Sequence, residues 1–360
     1  MRQVGVEEEL LLVDACDGHP VAAFEQVQAE AVRRKQTGPA HELKQEQAEI
    51  ASLPSLDINE LLLDLRRRRD EICAIAGMRG LGLAASATSP VGGITTTTVD
   101  ERYTRMETRF GLLERMQLTC GMHVHVSIDS PAEGIVVLDR VRAWLPALLA
   151  LSTNSPYFNG EDTGYASYRS IVWGQWPTSG PTELFGDAET YRALVNDLVR
   201  SGTILDEGMI YFDARLSRHY PTVEIRVADV CTDLADAGTI AALARGLVET
   251  AIADAAVGRP PPPIRSEVLR VAAWGAARFG LAADLLDPTE RRARPAADLL
   301  DRLVDHVRPA LTRSGDRALA EEGVARLLVD GTGADHQRAA FVRENSVAAV
   351  VLDVVKRTGG

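Results

Sequence analysis

The sequence predicts an α+β fold in which an antiparallel sheet presents one apolar face to a layer of helices. Three observations carry this. Four short segments, residues 4–10, 42–49, 121–126 and 223–227, set charged residues among apolar ones. The strand and helix patterns do not alternate regularly along the chain, which argues against a doubly wound parallel sheet. Beyond the Arg259-Pro260-Pro261-Pro262-Pro263 break, every segment reads as helix.

Side chains two apart on a strand project to the same face. Glu7 with Glu9, His123 with His125, and Glu224 with Arg226 therefore share one side. Val4, Val6, Met122, Val124, Val126, Val223, Ile225 and Val227 line the other. Carboxylates this close repel one another unless cations sit between them. The pattern asks for metal ions.

In chain order, residues 3–13 read as a strand, and residues 45–53 as another ended by Pro54. The acidic segment 42–50 also admits a helix, which sets Glu42 and Glu49 two turns apart on one face. Taken alone, a solvated helix is its plainer reading. Residues 58–78 form a helix, because Leu61, Leu62, Leu65, Ile72, Ile75 and Ala76 fall at helical spacing and Asp57 is placed to cap it. Gly80 closes that helix, and residues 81–88 make a short apolar strand. Helix 101–116, the His-bearing strand 118–128 and helix 131–152 follow. Residues 153–186, rich in glycine, proline and aromatics, read as a long structured loop, and loops of that length commonly cover a site. Helix 190–201, strands 210–216 and 222–230, and helix 234–257 complete an α+β core over residues 1–257. Helices 267–278, 296–308, 316–328 and 335–355 form a C-terminal part, 264–360, expected to pack on that core as one catalytic domain of residues 1–360.

The bulk properties narrow the function. The chain has 360 residues, 46% hydrophobic and 25% charged, ordinary for a globular protein. Its net charge is -12, from 39 basic and 51 acidic residues. That disfavours nucleic acid and anionic membranes as partners, since both need a basic surface. The apolar stretch 135–151 is interrupted by Asp139, Arg140 and Arg142 and reads as a buried helix rather than a membrane span. Cys16, Cys73, Cys120 and Cys231 form no C-x-x-C pair and suit a reducing compartment. Glu7, Glu8 and Glu9 stand where a signal peptide would be apolar. A cytoplasmic enzyme is expected.

Glu7 and Glu9 lie roughly 6.5–7 Å apart along a strand, so each can hold a different ion. His123 and His125 form an H-x-H pair that suits a metal, a phosphate or a satisfied core equally well. Glu224 and Arg226 read as an ion pair, or as a carboxylate on metal beside a guanidinium on phosphate. Arg169, among Tyr165, Tyr168, Trp173 and Trp176, is a candidate clamp for phosphate or carboxylate. The two Trp residues wall a small-molecule pocket or simply pack the loop. No G-x-x-x-x-G-K-[ST] or G-x-G-x-x-G run occurs, so a nucleotide would have to bind through metals and arginines.

Taken together, Gly5-Val6-Glu7-Glu8-Glu9, Glu42 to Glu49, Cys120-Gly121-Met122-His123-Val124-His125-Val126, Asn154-Ser155-Pro156, Asp162 to Arg169 and Pro221 to Val230 occur in an order and spacing that resembles the carboxylate–amine ligases of the glutamate–cysteine ligase type 2 family. The resemblance covers most of residues 1–257. Weaker matches lie at Ala276 to Leu281 and Gly333 to Arg338. It implies a core like that of glutamine synthetase, a curved antiparallel sheet forming a funnel with helices outside. It also implies ATP-dependent amide-bond formation from a small-molecule carboxylate and an amine, with Mg2+ or Mn2+ as cofactor, and a homodimer. By this analogy Glu9, His123 and Glu224 ligate one ion, and Glu7, Glu42 and Glu49 others. Arg169 and Arg226 meet phosphate or substrate carboxylate, His125 contacts the nucleotide, and Glu7 is essential to turnover.

The sequence departs from the family pattern at Glu46, where a small serine is usual and where a change would alter the metal cluster or the substrate carboxylate site. It departs again over residues 211–217, which usually carry Trp and Pro. Two other readings compete. A non-catalytic member of the fold would bind nucleotide or amino acid without turnover. A metal-dependent hydrolase would use the H-x-H pair without ATP.

Overall fold

The computed structural model describes residues 1–93 and 95–359. Strand β1 (Val4–Asp14) is the organising element. After it come α1 (Phe24–Arg33), β2 (Gln47–Ala51), α2 (Ile58–Gly77) and β3 (Leu81–Ala84). Helices α3 (Glu101–Phe110) and α4 (Leu112–Arg115) lead to β4 (Gly121–Ser127). Next are α5 (Pro131–Val141), α6 (Leu145–Ser152), a small hairpin of β5 (Tyr157–Phe158) and β6 (Glu161–Asp162), α7 (Tyr168–Trp173) and α8 (Ala188–Arg200). Strands β7 (Ala214–Leu216) and β8 (Thr222–Asp229) precede the long α9 (Leu234–Ala256). The chain finishes with α10 (Ser266–Phe279), a hairpin of β9 (Asp284–Asp287) and β10 (Arg292–Pro295), α11 (Ala296–Ser314), α12 (Arg317–Asp330), α13 (Gly333–Glu344) and α14 (Val347–Thr358).

The main sheet runs β2-β1-β4-β8-β7, antiparallel throughout, with β3 paired to the far half of β1. Its register aligns the charged residues. Glu7 faces His123, His125 faces Glu224, Glu9 faces Glu49, and Arg215 faces Glu224. Val4, Val6, Met122, Val124, Val126, Val223 and Ile225 lie on the other face, essentially without solvent contact. Each such side chain contributes roughly 1.5–3 kcal/mol when fully buried. Helices α2, α5, α6 and α9 pack against the sheet, and α11 and α12 pack behind α9. One hydrophobic cluster spans Val6 and Val124 of the sheet and Leu300 and Leu303 of α11, so the C-terminal helices share the core of the sheet.

Glu8 projects among the apolar residues. It is fully buried and pairs bidentately with Arg69 of α2, at 2.8 and 2.7 Å. Arg69 also donates to the carbonyls of Thr232 and Cys231. A buried pair with its remaining protons satisfied in this way holds, whereas a half-pair would not.

Several expectations need correction. Residues 47–51 are strand, as read over 45–53, and the helix alternative for 42–50 falls, because they complete the β1 ladder and leave only Ala51 exposed. Three predicted helices are interrupted. Gly111 at φ +58° divides 101–116, Trp144 precedes a second start at Leu145-Pro146, and Asn345 at φ +49° divides 335–355. The strand over 210–216 shortens to Ala214–Leu216. Helix α1 and the β9–β10 hairpin had no counterpart in the sequence reading. Between Met122 and Val124 the β4–β8 register shifts, so that Ala228 rather than Val227 pairs with Met122. The extra residue on β8 moves Val227 off the regular apolar row.

Candidate active site

The polar face of the sheet floors a cavity of about 240 Å³. Glu7 and Glu9 from β1, Glu49 from β2, His123 and His125 from β4, and Glu224 and Arg226 from β8 all line it, joined by Glu42. Of the predicted site residues, only Arg169 lies outside this lining. It borders a neighbouring cavity instead, and the two cavities share Trp173 and Arg226 as a wall.

Two groups of donors come within 4.8 Å of one another: Glu7, His125 and Glu224, and Glu9, Glu42 and Glu49. Five of these six were expected as ligands, but the partition differs, and His125, expected at the nucleotide, stands in the first group in place of His123. His123 sits between the two, its Nδ1 3.5 Å from Glu7 and 3.9 Å from Glu224, and its Nε2 3.9 Å from Glu9.

The charge states fit sites built for cations. Burial pushes Glu7 up, but the His123 Nδ1 contact and the adjacent His125 ring outweigh it and hold the carboxyl below its ordinary range. Burial likewise opposes Glu224, and Arg226 and Arg215 overcome it. Arg215 grips Glu224 bidentately at 2.8 and 3.1 Å, and Arg226 contacts the same carboxylate. At the other group the charges of Arg169 and Arg226 fall short of compensating. Burial and the Glu42 charge raise Glu9 to about 8, despite a 2.6 Å bond from the Gly121 N–H. Burial and Glu42 raise Glu49 well above the usual range. Burial and Arg226 lower His123 to about 4, so the imidazole is neutral at pH 7 and has a lone pair to give.

The Nε2 atoms of His123 and His125 are buried and make no hydrogen bond. Buried polar atoms are normally satisfied, and an orphan marks an absent partner. His125 Nδ1 lies 2.9 Å from the Thr222 hydroxyl, an arrangement that leaves Nε2 to face Glu7 at 3.3 Å. Two carboxylates with one imidazole in the first group, and three carboxylates in the second, form donor sets suited to Mg2+ or Mn2+.

Arg169 is 2% exposed. It lies on α7 one turn before Trp173, and the guanidinia of Arg169 and Arg226 sit 5.7 and 5.9 Å from the Trp173 ring. Behind it, Asp229 approaches to 3.9 Å, itself held by Ser155, Ser167 and the Asn154 N–H. In front, Gly121 leaves room that a Cβ would fill. Most of the 153–186 segment is anchored in this way. Only its Trp173 and Trp176 reach the acidic cavity, where α3 contributes Arg102, Tyr103 and Met106, and Tyr211 completes the cover.

The sequence reading missed Arg215, Arg102, Tyr103 and Gln47. Arg215 emerges only from the register, because the three-residue β7 is too short to show a period of its own. The concern over Glu46 resolves structurally. Its carboxylate is 1% exposed and accepts the Thr96 N–H at 2.9 and 3.0 Å, away from both donor groups. Lys44, fully buried, binds Glu114 and Thr97 and fastens the same segment to α4.

Residues 3–353 match the model of glutamate–cysteine ligase family 2. A protein of Paenarthrobacter aurescens (strain TC1) named "Putative glutamate–cysteine ligase 2-1" is 49% identical over 365 residues, covering 99% of this chain and 95% of the relative. A protein of the same name from Streptomyces avermitilis is 48% identical, with both chains covered in full. Among solved structures, a glutamate–cysteine ligase from Francisella tularensis in complex with AMP superposes with a TM-score of 0.72 at 13% identity, over 99% of this chain and 88% of that one. A bifunctional glutathione synthetase from Pasteurella multocida gives 0.66 at 13% identity, over 99% and 51%. These structures bear out the expected curved-sheet fold. Among the described residues, no helix is long and apolar enough to cross a membrane.

Proposed function

The chain belongs to glutamate–cysteine ligase family 2, and on that premise we propose that it is an ATP-dependent carboxylate–amine ligase working through an acyl phosphate. The observation that carries this reading is the convergence of two carboxylate groups and two unpartnered imidazole nitrogens on one concave face beside Arg226.

A carboxylate is a poor acyl donor because oxide is a poor leaving group. Transfer of the γ-phosphoryl of ATP to it gives an acyl phosphate, which an amine attacks with loss of phosphate. Bound by Glu7, His125 and Glu224 and by Glu9, Glu42 and Glu49, divalent cations would neutralise the β- and γ-phosphates and polarise the phosphoryl group. The chain's own residues do the rest. Arg226, held by Glu224 and stacked near Trp173, presents a fixed cation to charge that develops in transfer. Arg215 and Thr222 orient Glu224 and His125 from behind. Trp173, Trp176, Tyr103 and Tyr211 cover the cavity, which keeps water from an intermediate that hydrolyses readily.

The test is ADP release in a screen of paired carboxylates and amines with Mg2+ or Mn2+, with hydroxylamine present to trap the acyl phosphate as a hydroxamate. ADP release that requires an acid, hydroxamate formation, and loss of both in Glu7→Gln are expected. ADP release that ignores the acid, or a Glu7→Gln variant at full rate, refutes the reading.

A further inference from the structure

Three sequence motifs lie outside both donor groups: Asn154-Ser155, Ser167 to Arg169, and Asp229 at the end of β8. The fold brings them to one point, the fully buried carboxylate of Asp229. Its Oδ2 accepts the Asn154 N–H at 2.9 Å and the Ser155 hydroxyl at 2.8 Å, and its Oδ1 accepts the Ser167 hydroxyl at 2.8 Å. Each serine works in two directions. The Ser155 Oγ accepts the Arg169 N–H at 3.0 Å, and the Ser167 Oγ, which caps α7, accepts the Ser170 N–H at 3.4 Å. A hydroxyl has one proton to give, and in both serines it goes to Asp229. Burial raises the Asp229 carboxyl, and the Arg169 charge and these three bonds oppose the rise.

Helix α7 is only six residues long. A helix this short is not held by its own hydrogen bonds, so its direction comes from what anchors it. The Ala277 carbonyl of α10 takes the Ala166 and Ser167 N–H groups on one side, and the two serines tie the first turn to Asp229 on the other. The guanidinium of Arg169 stands 3.9 Å from the same carboxylate. It reaches the Arg226 and Val227 carbonyls at 3.4 and 3.5 Å, where the β4–β8 register shifts. Its Nε is buried without a partner, so the group is oriented but not saturated. Asn154 stiffens the anchor from behind. Its amide donates to the Ala85 and Val230 carbonyls at 2.8 and 2.7 Å, and Gln337 of α13 donates to its Oδ1 at 2.8 Å.

We propose that Asp229 is a positioning residue: its carboxylate, acting through the Ser155 and Ser167 hydroxyls, fixes α7 so that Arg169 and Trp173 stand against Arg226. The inference rests on the ligase reading for the task of Arg169, a fixed cation beside the charge that develops in transfer. The anchor itself rests on the hydrogen bonds alone.

Asp229→Asn keeps the shape and replaces one acceptor by a donor, which meets a hydroxyl proton whichever way the amide turns. Acid-dependent ADP release is expected to fall about 10–10²-fold, as misplacement of a group by about 1 Å does. Mn2+ affinity by calorimetry is expected to stay unchanged. In an Arg169→Ala background the same change is expected to cost less than about twofold, because a residue acting through Arg169 has nothing left to place. Hydrogen exchange is expected to quicken at the N–H groups of Arg169 and Ser170 and not in β1. If Asp229→Asn does not fold, Ser155→Ala and Ser167→Ala carry the same cycle, each with a loss of about three- to tenfold that vanishes without Arg169. Equal losses in both backgrounds, full activity in Asp229→Asn, or exchange that quickens uniformly along the chain overturns the inference. The ligase reading fails separately, through a wild type that shows no acid-dependent ADP release, and the exchange pattern then still decides the anchor.

Discussion

Gly121→Ala is the sharpest single test of the site's construction. A Cβ built on Gly121 falls 2.2 Å from Arg169 Nη2 and 2.8 Å from its Cζ. To regain an ordinary contact of 3.4 Å, the guanidinium has to retreat by about 1.2 Å. Trp173 and the Asp229 carboxylate, itself hydrogen-bonded and 3.9 Å away, bound it on two sides, so it can give way only toward the cavity it borders, losing those contacts. Overpacking of this kind costs about 1–3 kcal/mol. The φ of Gly121 is not in the left-handed region, so backbone strain adds nothing. Urea denaturation of Gly121→Ala, Arg169→Ala and the double variant measures the effect without any substrate. If the clash is with Arg169, the methyl group fits once that side chain is gone. The two changes then couple by about 1 kcal/mol or more, as contacting residues do. Acid-dependent ADP release is expected to fall about 10²–10³-fold in Gly121→Ala, as for loss of one preorganised donor. Additive stabilities, or a Gly121→Ala enzyme with normal stability and turnover, would refute the claim that Gly121 exists to seat Arg169.

Other outcomes follow from neighbouring geometry. Glu8→Ala is expected to cost about 3–5 kcal/mol in urea denaturation, since it strands Arg69 in the core, whereas Glu7→Gln is expected to remove the Mn2+ ion held by the Glu7, His125 and Glu224 group and to leave the Glu9, Glu42 and Glu49 group able to bind. Between pH 6.5 and 8 the metal-free protein is expected to lose stability as pH rises. The raised Glu9 carboxyl keeps its proton to about 8 in the folded state and releases it in the unfolded one, while His123, lowered to about 4, acts in the opposite sense only below its ordinary 6.5. Mn2+ is expected to reverse that loss and, in weakly buffered solution at pH 7, to release protons on binding; pH-independent stability with no proton release would contradict it. Glu46→Gln is expected to leave Mn2+ affinity unchanged and to speed hydrogen exchange at Thr96, whose N–H Glu46 accepts.

The main sheet was legible because period-2 alternation is a strong signal when the apolar half is buried and the other half must meet ions. β1, β4 and β8 were readable within three residues at each end on that ground. The interruptions were not. Gly111 and Asn345 take left-handed conformations inside otherwise helical patterns, and nothing in the periodicity marks a turn there. The 42–50 segment stayed ambiguous because its polar residues satisfy either period, and only pairing with β1 decides. Of the site, the ligand residues were visible as charge on strands. Arg215 was not, because the three-residue β7 is too short to show a period and its partner is known only from the register.

Three consecutive glutamates on β1 end in three different states, and the sheet explains why. Glu8 points into the core, so it survives only as half of a satisfied ion pair with Arg69. Glu7 points to the polar face beside two imidazoles, which keep it ionised. Glu9 occupies the same face two residues on, where Glu42 and Glu49 converge and no described side chain answers their charge at hydrogen-bond distance, so burial and repulsion hold protons there. A carboxylate triad that must bind protons to coexist is poised to exchange them for a dication, because the cation removes the repulsion that raised the pKa values. The Glu7 group needs no such exchange, since Arg215 and Arg226 already compensate it. The two groups are therefore expected to fill in sequence, with the Glu7, His125 and Glu224 group binding first at low pH and the Glu9, Glu42 and Glu49 group following as pH rises. Mn2+ titrations at pH 6 and pH 8 should show one ion per chain at the lower pH and two at the higher; equal stoichiometry at both would mean that proton competition does not separate them.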